Sequence, residues 1–83
     1  MSERGTVEFS NSSTGGVGLR AQDGSYVLAE QLDAKPLQVG QVLVGRMDSV
    51  GTESFNDLLS NESYEVFIQA YGLSLDAVRN ELL

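Results

Sequence analysis

Eighty-three residues make one small domain; a chain of that size buries only about 60% of the surface its unfolded form exposes, leaving one modest core and no deep substrate chamber. The absence of cysteine and histidine excludes disulfide frameworks, the usual zinc sites, the commonest general base and the best nucleophile, so stability must come from packing or from a partner chain. Twelve acids against five bases give a net charge of −7, a balance that repels phosphate, favours basic partners and keeps a surface soluble.

The acidity is uneven. Residues 1–50 hold Arg4, Arg20, Lys35 and Arg46 against six acids, whereas residues 51–83 hold only Arg79 against another six. The first residues, Met1-Ser2-Glu3-Arg4-Gly5, lack the charged-then-apolar pattern of a signal peptide, and no apolar run reaches membrane-spanning length. The expected compartment is the cytoplasm, with no membrane partner.

In chain order the first elements read as strands. Thr6-Val7-Glu8-Phe9 alternates apolar and polar residues, the period of a half-buried strand. Asn11 to Gly16 is dense in turn formers, and Val17-Gly18-Leu19-Arg20-Ala21 resumes the alternation. Asp23-Gly24 is a strong hairpin signal, and Tyr26-Val27-Leu28-Ala29 lies at the right distance to pair back. Pro36 interrupts the chain before the strand Gln41-Val42-Leu43-Val44-Gly45-Arg46-Met47. Eight of the nine glycines fall at or before Gly51, as tight turns and bulges of a small barrel require.

The later elements read as helices. Phe55, Leu58 and Leu59 fall at i, i+3 and i+4 behind an N-cap at Thr52 or Ser54. Tyr64, Phe67, Ile68 and Tyr71 repeat that spacing as one amphipathic stripe ending at a Gly72 C-cap. Ser74 then caps a last helix, Leu75 to Leu83, with Asp76 near its positive end and Leu75, Val78 and Leu82 on its apolar face. The predicted architecture is α+β: a single domain over 1–83, with a β-barrel half of four or five strands at 1–51 and an acidic helical hairpin at 52–83.

The stretches Gly5-Thr6-Val7-Glu8-Phe9-Ser10-Asn11, Gly16-Val17-Gly18-Leu19 and Val39-Gly40-Gln41-Val42 resemble the cold-shock domain, whose runs are G-x-V-K-W-F-N, K-G-F-G-F-I and L-x-x-G-Q-x-V-x-F. The resemblance covers about residues 5–51, and Gln22 to Val27 is also similar to small OB-fold translation factors and S1-like domains. It implies an OB-type barrel that binds single-stranded nucleic acid through exposed aromatics and neighbouring bases. Much of that chemistry is replaced here. The first strand keeps only Phe9, the two aromatics of the second are Val17 and Leu19, the basic residue before the glycine is Gly15 or Thr14, and the third strand is Tyr26-Val27-Leu28-Ala29-Glu30.

Catalytic constellations are sparse. A serine nucleophile would depend on Lys35 or a buried carboxylate as base, and no spacing suggests either. Gly15-Gly16-Val17-Gly18 precedes a strand rather than a helix and lacks the Lys-Ser/Thr of a phosphate loop. Asp48 and Glu53 do not supply a calcium loop. No catalytic residue, metal ligand or cofactor is assigned, and the expectation is a non-enzymatic module.

Two binding readings follow. In the first, the acidic hairpin docks a protein with a basic or apolar surface: Glu53, Asp57, Glu62, Glu65, Asp76 and Glu81 steer the encounter, and Tyr64, Phe67 and Tyr71, extended by Leu82 and Leu83, supply the buried contact. A small chain with so many apolar residues also shares a core readily with a second copy of itself, making a homodimer. In the alternative, the barrel binds single-stranded nucleic acid through Phe9, Arg20, Tyr26 and Arg46.

Overall fold

The computed structural model describes residues 3–82, without the Leu82 side chain. Six antiparallel strands close into a barrel: β1 (Glu3–Asn11), β2 (Gly16–Ala21), β3 (Tyr26–Gln31), β4 (Val42–Gly45), β5 (Gly51–Asp57) and β6 (Ser63–Leu73), followed by one helix, α1 (Leu75–Leu82). Around the barrel the order is β1-β2-β3-β6-β5-β4, and β4 pairs back onto β1.

The turn chemistry of the first three strands matches its sequence signals. Gly15 and Gly24 both take positive φ, at 79° and 88°, a conformation that glycine enters without Cβ strain. Asp23 accepts hydrogen bonds from the Ser25 N–H at 2.9 Å and the Ser25 hydroxyl at 2.6 Å, and so braces the β2–β3 hairpin. The expected strand from Gln41 to Met47 is shorter, Val42–Gly45, because Met47 turns inward to close the barrel.

Inward-facing side chains from all six strands make the core: Val7, Leu19, Val27, Leu43, Phe55 and Ile68 among them, each at most 1% exposed. Leu37, from the β3–β4 connection, stops one end beside Ser10, whose hydroxyl donates to the Leu37 carbonyl at 3.2 Å. Met47 stops the other end over Gly5, where a Cβ would lie 2.7 Å from the Met47 sulfur.

Residues 51–73 form a β-hairpin and not helices. Val66 and Ile68, with Tyr64, are buried in alternation with the exposed Glu65 and Phe67, so the segment follows period two. Barrel closure decides this. β3 and β4 each leave an edge without a partner, and the β5–β6 hairpin satisfies both at once. The fold therefore has six strands where four or five were expected, and a single helix where a helical hairpin was expected. Leu58 and Leu59 lie in the hairpin turn and are exposed. Gly72 is no helix cap; with φ of 67° it sits within β6, where the register against β3 slips.

The C-terminal helix stands where the sequence places it. The Ser74 hydroxyl accepts from the Ala77 N–H at 3.2 Å, an N-cap, and Asp76 lies in the first turn. α1 packs against the outside of β2 and β3. Val78 is fully buried there, and the outward-facing Tyr26 and Leu28 are buried as well.

Candidate functional site

A β-bulge in β1 assembles the first candidate cluster. Val7 pairs with Leu19 and Phe9 with Gly18, so Glu8 and Phe9 together oppose a single β2 residue and both reach the outer face. There the Tyr26 hydroxyl donates to Glu8 at 2.8 Å, Arg20 Nε lies 3.1 Å from the other Glu8 oxygen, and the Phe9 and Tyr26 rings stand 6.5 Å apart. Glu8, as acceptor of the hydroxyl proton, pushes the Tyr26 phenol above its ordinary range; burial adds to this, and the charges of Arg20 and Arg79 act the other way.

Three of the four residues of the nucleic-acid reading thus meet on one face. The aromatic part of the cluster is closed, since Tyr26 is 8% exposed, whereas Arg20 pairs with Glu8 through Nε and stays half exposed. Arg46 stands apart beyond the end of β4, paired with Asp48 at 3.3 Å.

The second cluster lies on the outer face of β5, β6 and β3. Phe67 is 38% exposed, sits directly opposite Glu30 on β3 and Thr52 on β5, and is two residues from the exposed Glu65. Ser54 donates its hydroxyl to Glu65 at 2.7 Å and holds that carboxylate on the face. Tyr71, 47% exposed, lies within the stretch of β6 between Ala70 and Leu73 where the register against β3 slips.

Tyr64 leaves this surface altogether. It faces the core opposite Phe55, and its hydroxyl accepts from the Gln41 side-chain amide at 3.3 Å. Thr52 and Ser54, expected from the sequence as helix N-cap candidates, are strand residues of β5, and Glu30 has no site role in the sequence reading. Alternation through Tyr64, Val66 and Ile68 was the signal that places Phe67 on the opposite side from Tyr64.

The six acids expected to steer a partner do not converge. Asp57 is 7% exposed, and its carboxylate organises the β5–β6 turn: it accepts from the N–H groups of Ser60 at 2.9 Å and Leu59 at 2.8 Å, and from the Gln41 amide at 2.7 Å. The Ser60 N–H first, then Gln41 and Leu59, hold the Asp57 carboxyl below the usual range. Glu62 faces Lys35 at 3.5 Å. Glu53 pairs with Val66 on the inner side of β5 and is half-buried. Asp76 and Glu81 are exposed on α1.

The β3–β4 connection is pinned by Asp33. Its carboxylate accepts from the Glu65 N–H at 2.8 Å and from the Gln31 amide at 2.6 Å. Burial pushes this carboxyl up, but the Glu65 N–H, Gln31 and Lys35 outweigh burial, and the group lies below its ordinary value. Lys35 donates to the Ser63 carbonyl at 2.7 Å and lies 5.9 Å from the centre of the Tyr64 ring.

Among the described residues no three acids gather as a metal cage, and no helix is long and apolar enough to cross a membrane. The Leu82 side chain and Leu83, expected to extend an apolar patch, lie outside the described residues. Compared with known proteins, the chain matches no family model, no curated protein and no solved structure, so its functional reading rests on its own geometry.

Proposed function

We propose that this chain is a non-enzymatic interaction module, an OB-like barrel that docks a protein partner of basic and apolar surface character on the outer face of β5, β6 and β3. The observation that carries the reading is Phe67, partly exposed on a rigid strand and flanked by Glu30 and Glu65. An aromatic ring ringed by carboxylates fits a partner that offers an apolar pocket rimmed by Lys or Arg. The ring supplies the buried anchor, and the acids supply steering and register. Tyr71 extends the same surface, whereas Tyr64, Glu53 and Asp57 contribute through the barrel rather than by contact. A cytoplasmic location belongs to the same proposal.

Single-stranded nucleic-acid binding through Phe9, Arg20, Tyr26 and Arg46 is the alternative, and it has less support. Bases stack on open aromatic faces, and Tyr26 is buried with its hydroxyl held by Glu8.

The test is affinity capture from an extract of the source cells with three baits: wild type, Phe67→Ser and Glu65→Lys. A protein held by wild type and lost from both variants, each still unfolding cooperatively on heating, supports the reading. Equal capture by all three baits overturns it. Saturable binding of labelled single-stranded DNA or RNA that disappears in Phe9→Ala shifts the assignment to the alternative.

A further inference from the structure

A different quarter of the barrel has the opposite character. Register places Arg4 beside Val44 on β4, and Thr6 between Val42 on β4 and Arg20 on β2. The Arg4 N–H donates to the Gln22 side-chain carbonyl at 3.1 Å, which draws Gln22 to the same spot. Arg4, Thr6, Arg20, Gln22 and Val42 line a cleft of about 270 Å³, and no carboxylate is among its lining residues.

In a chain with twelve acids and five bases, two arginines converge on one acid-free cleft. Arg20 spends its Nε on Glu8 at 3.1 Å, and its side chain is still 53% exposed, so its terminal nitrogens remain free to donate. Arg4 makes no ion pair among the described residues. Two neighbouring acids are already engaged, Glu8 by Arg20 and Tyr26 and Asp23 by Ser25, and Glu3, next to Arg4 in the chain, falls on the opposite parity of β1 with Gly5 and Val7. The acids of the β6 face act from across the barrel, where salt screens exposed charges beyond about 8 Å.

We propose that this cleft binds a phosphate group. Two guanidinium forks, a hydroxyl and a side-chain amide offer donors from several directions. That set suits a tetrahedral oxyanion better than a planar carboxylate, which one arginine satisfies alone. Val42 and Ala21 give the cleft apolar lining for the carbon skeleton of an ester. The phosphate belongs either to a small ester or to the backbone of a nucleic-acid strand, and the two sources separate by experiment.

The measurement is an NMR titration of the isotope-labelled chain with inorganic phosphate, then glycerol phosphate, then a single-stranded oligonucleotide, with sodium chloride at matched ionic strength as control. The expected result is saturable shifts confined to residues 4–6, 20–24 and 42, with Arg4→Gln and Arg20→Gln each weakening binding by about tenfold. Saturation by phosphate or glycerol phosphate assigns a small ligand; saturation by the oligonucleotide alone assigns the strand backbone, and either result supports the cleft. Shifts that fail to saturate, that spread to Lys35 and Arg46, or that persist at wild-type affinity in a folded Arg4→Gln variant overturn the proposal. The cleft shares no residue with the Phe67 face, so its failure leaves the proposed protein-binding reading untouched.

Discussion

The Tyr26 hydroxyl donates a 2.8 Å hydrogen bond to Glu8 across the intervening strand β2, and the β1 bulge makes the bond reachable by turning Glu8 and Phe9 to the same side. The bond ties what would be an aromatic platform into a hydrogen-bonded cluster in which the Tyr26 ring is buried. It also holds the phenol proton, which has a measurable consequence.

Because Glu8 accepts its proton, the Tyr26 phenol lies above the ordinary tyrosine range. A tyrosinate absorbance titration is expected to show one late component, absent in Tyr26→Phe and moved back toward the ordinary range in Glu8→Gln. Because the folded phenol lies above its unfolded value, its stabilising contribution is fully present below about pH 10 and disappears as pH rises through the folded value. Identical titrations for wild type and Glu8→Gln would remove the bond from the account.

Asp57 shows the opposite sign. Its folded carboxyl lies below the ordinary range, so the stability it confers is present at neutral pH and lost as pH falls from about 4 through the depressed value. Asp57→Asn is expected to lower the denaturant midpoint at pH 7, and the gap between variant and wild type is expected to close on acidification. A gap that stays constant down to acid would mean that the charge of Asp57 is irrelevant to the turn.

Gly45 is required by packing rather than by its φ. A Cβ there would run into the Phe55 ring and lie 3.0 Å from the Ser54 carbonyl oxygen. Gly45→Ala is expected to cost about 1–3 kcal/mol by overpacking. Gly5→Ala should cost less, because its obstacle is the flexible end of Met47. Adding Phe55→Leu to Gly45→Ala should recover part of the loss in a double-mutant cycle, whereas strict additivity would show that the ring is not the obstacle.

Neighbouring positions of β6 should respond unequally. Ile68→Ala removes a fully buried side chain and is expected to cost about 2–5 kcal/mol. Phe67→Ser, on the outer face and only partly covered, is expected to cost less, about 1 kcal/mol. Chemical denaturation of the two variants measures this directly. Similar losses at both would point to the helical stripe read from the spacing and away from the strand.

The sequence by itself determined the local elements whose signals are covalent or short-range. The Asp23-Gly24 hairpin, the turn around Gly15, the alternation Val17-Leu19-Ala21 and the Ser74 cap of α1 all depend on φ preference, on side-chain oxygens two or three residues from their donors, or on a period with a single interpretation. Tertiary structure decided the rest. Tyr64, Phe67, Ile68 and Tyr71 fit a helical spacing, and Tyr64, Val66 and Ile68 fit a strand equally well; only the open edges of β3 and β4, set far away in sequence, select the strand. The same long-range pairing sends Tyr64 into the core and leaves Phe67 outside beside Glu30. The β1 bulge likewise takes Phe9 off the inner face that its alternation with Val7 suggested. Register between strands moves a side chain from core to solvent with a shift of one residue, and register is set by closure of the whole barrel, which no local window of sequence contains.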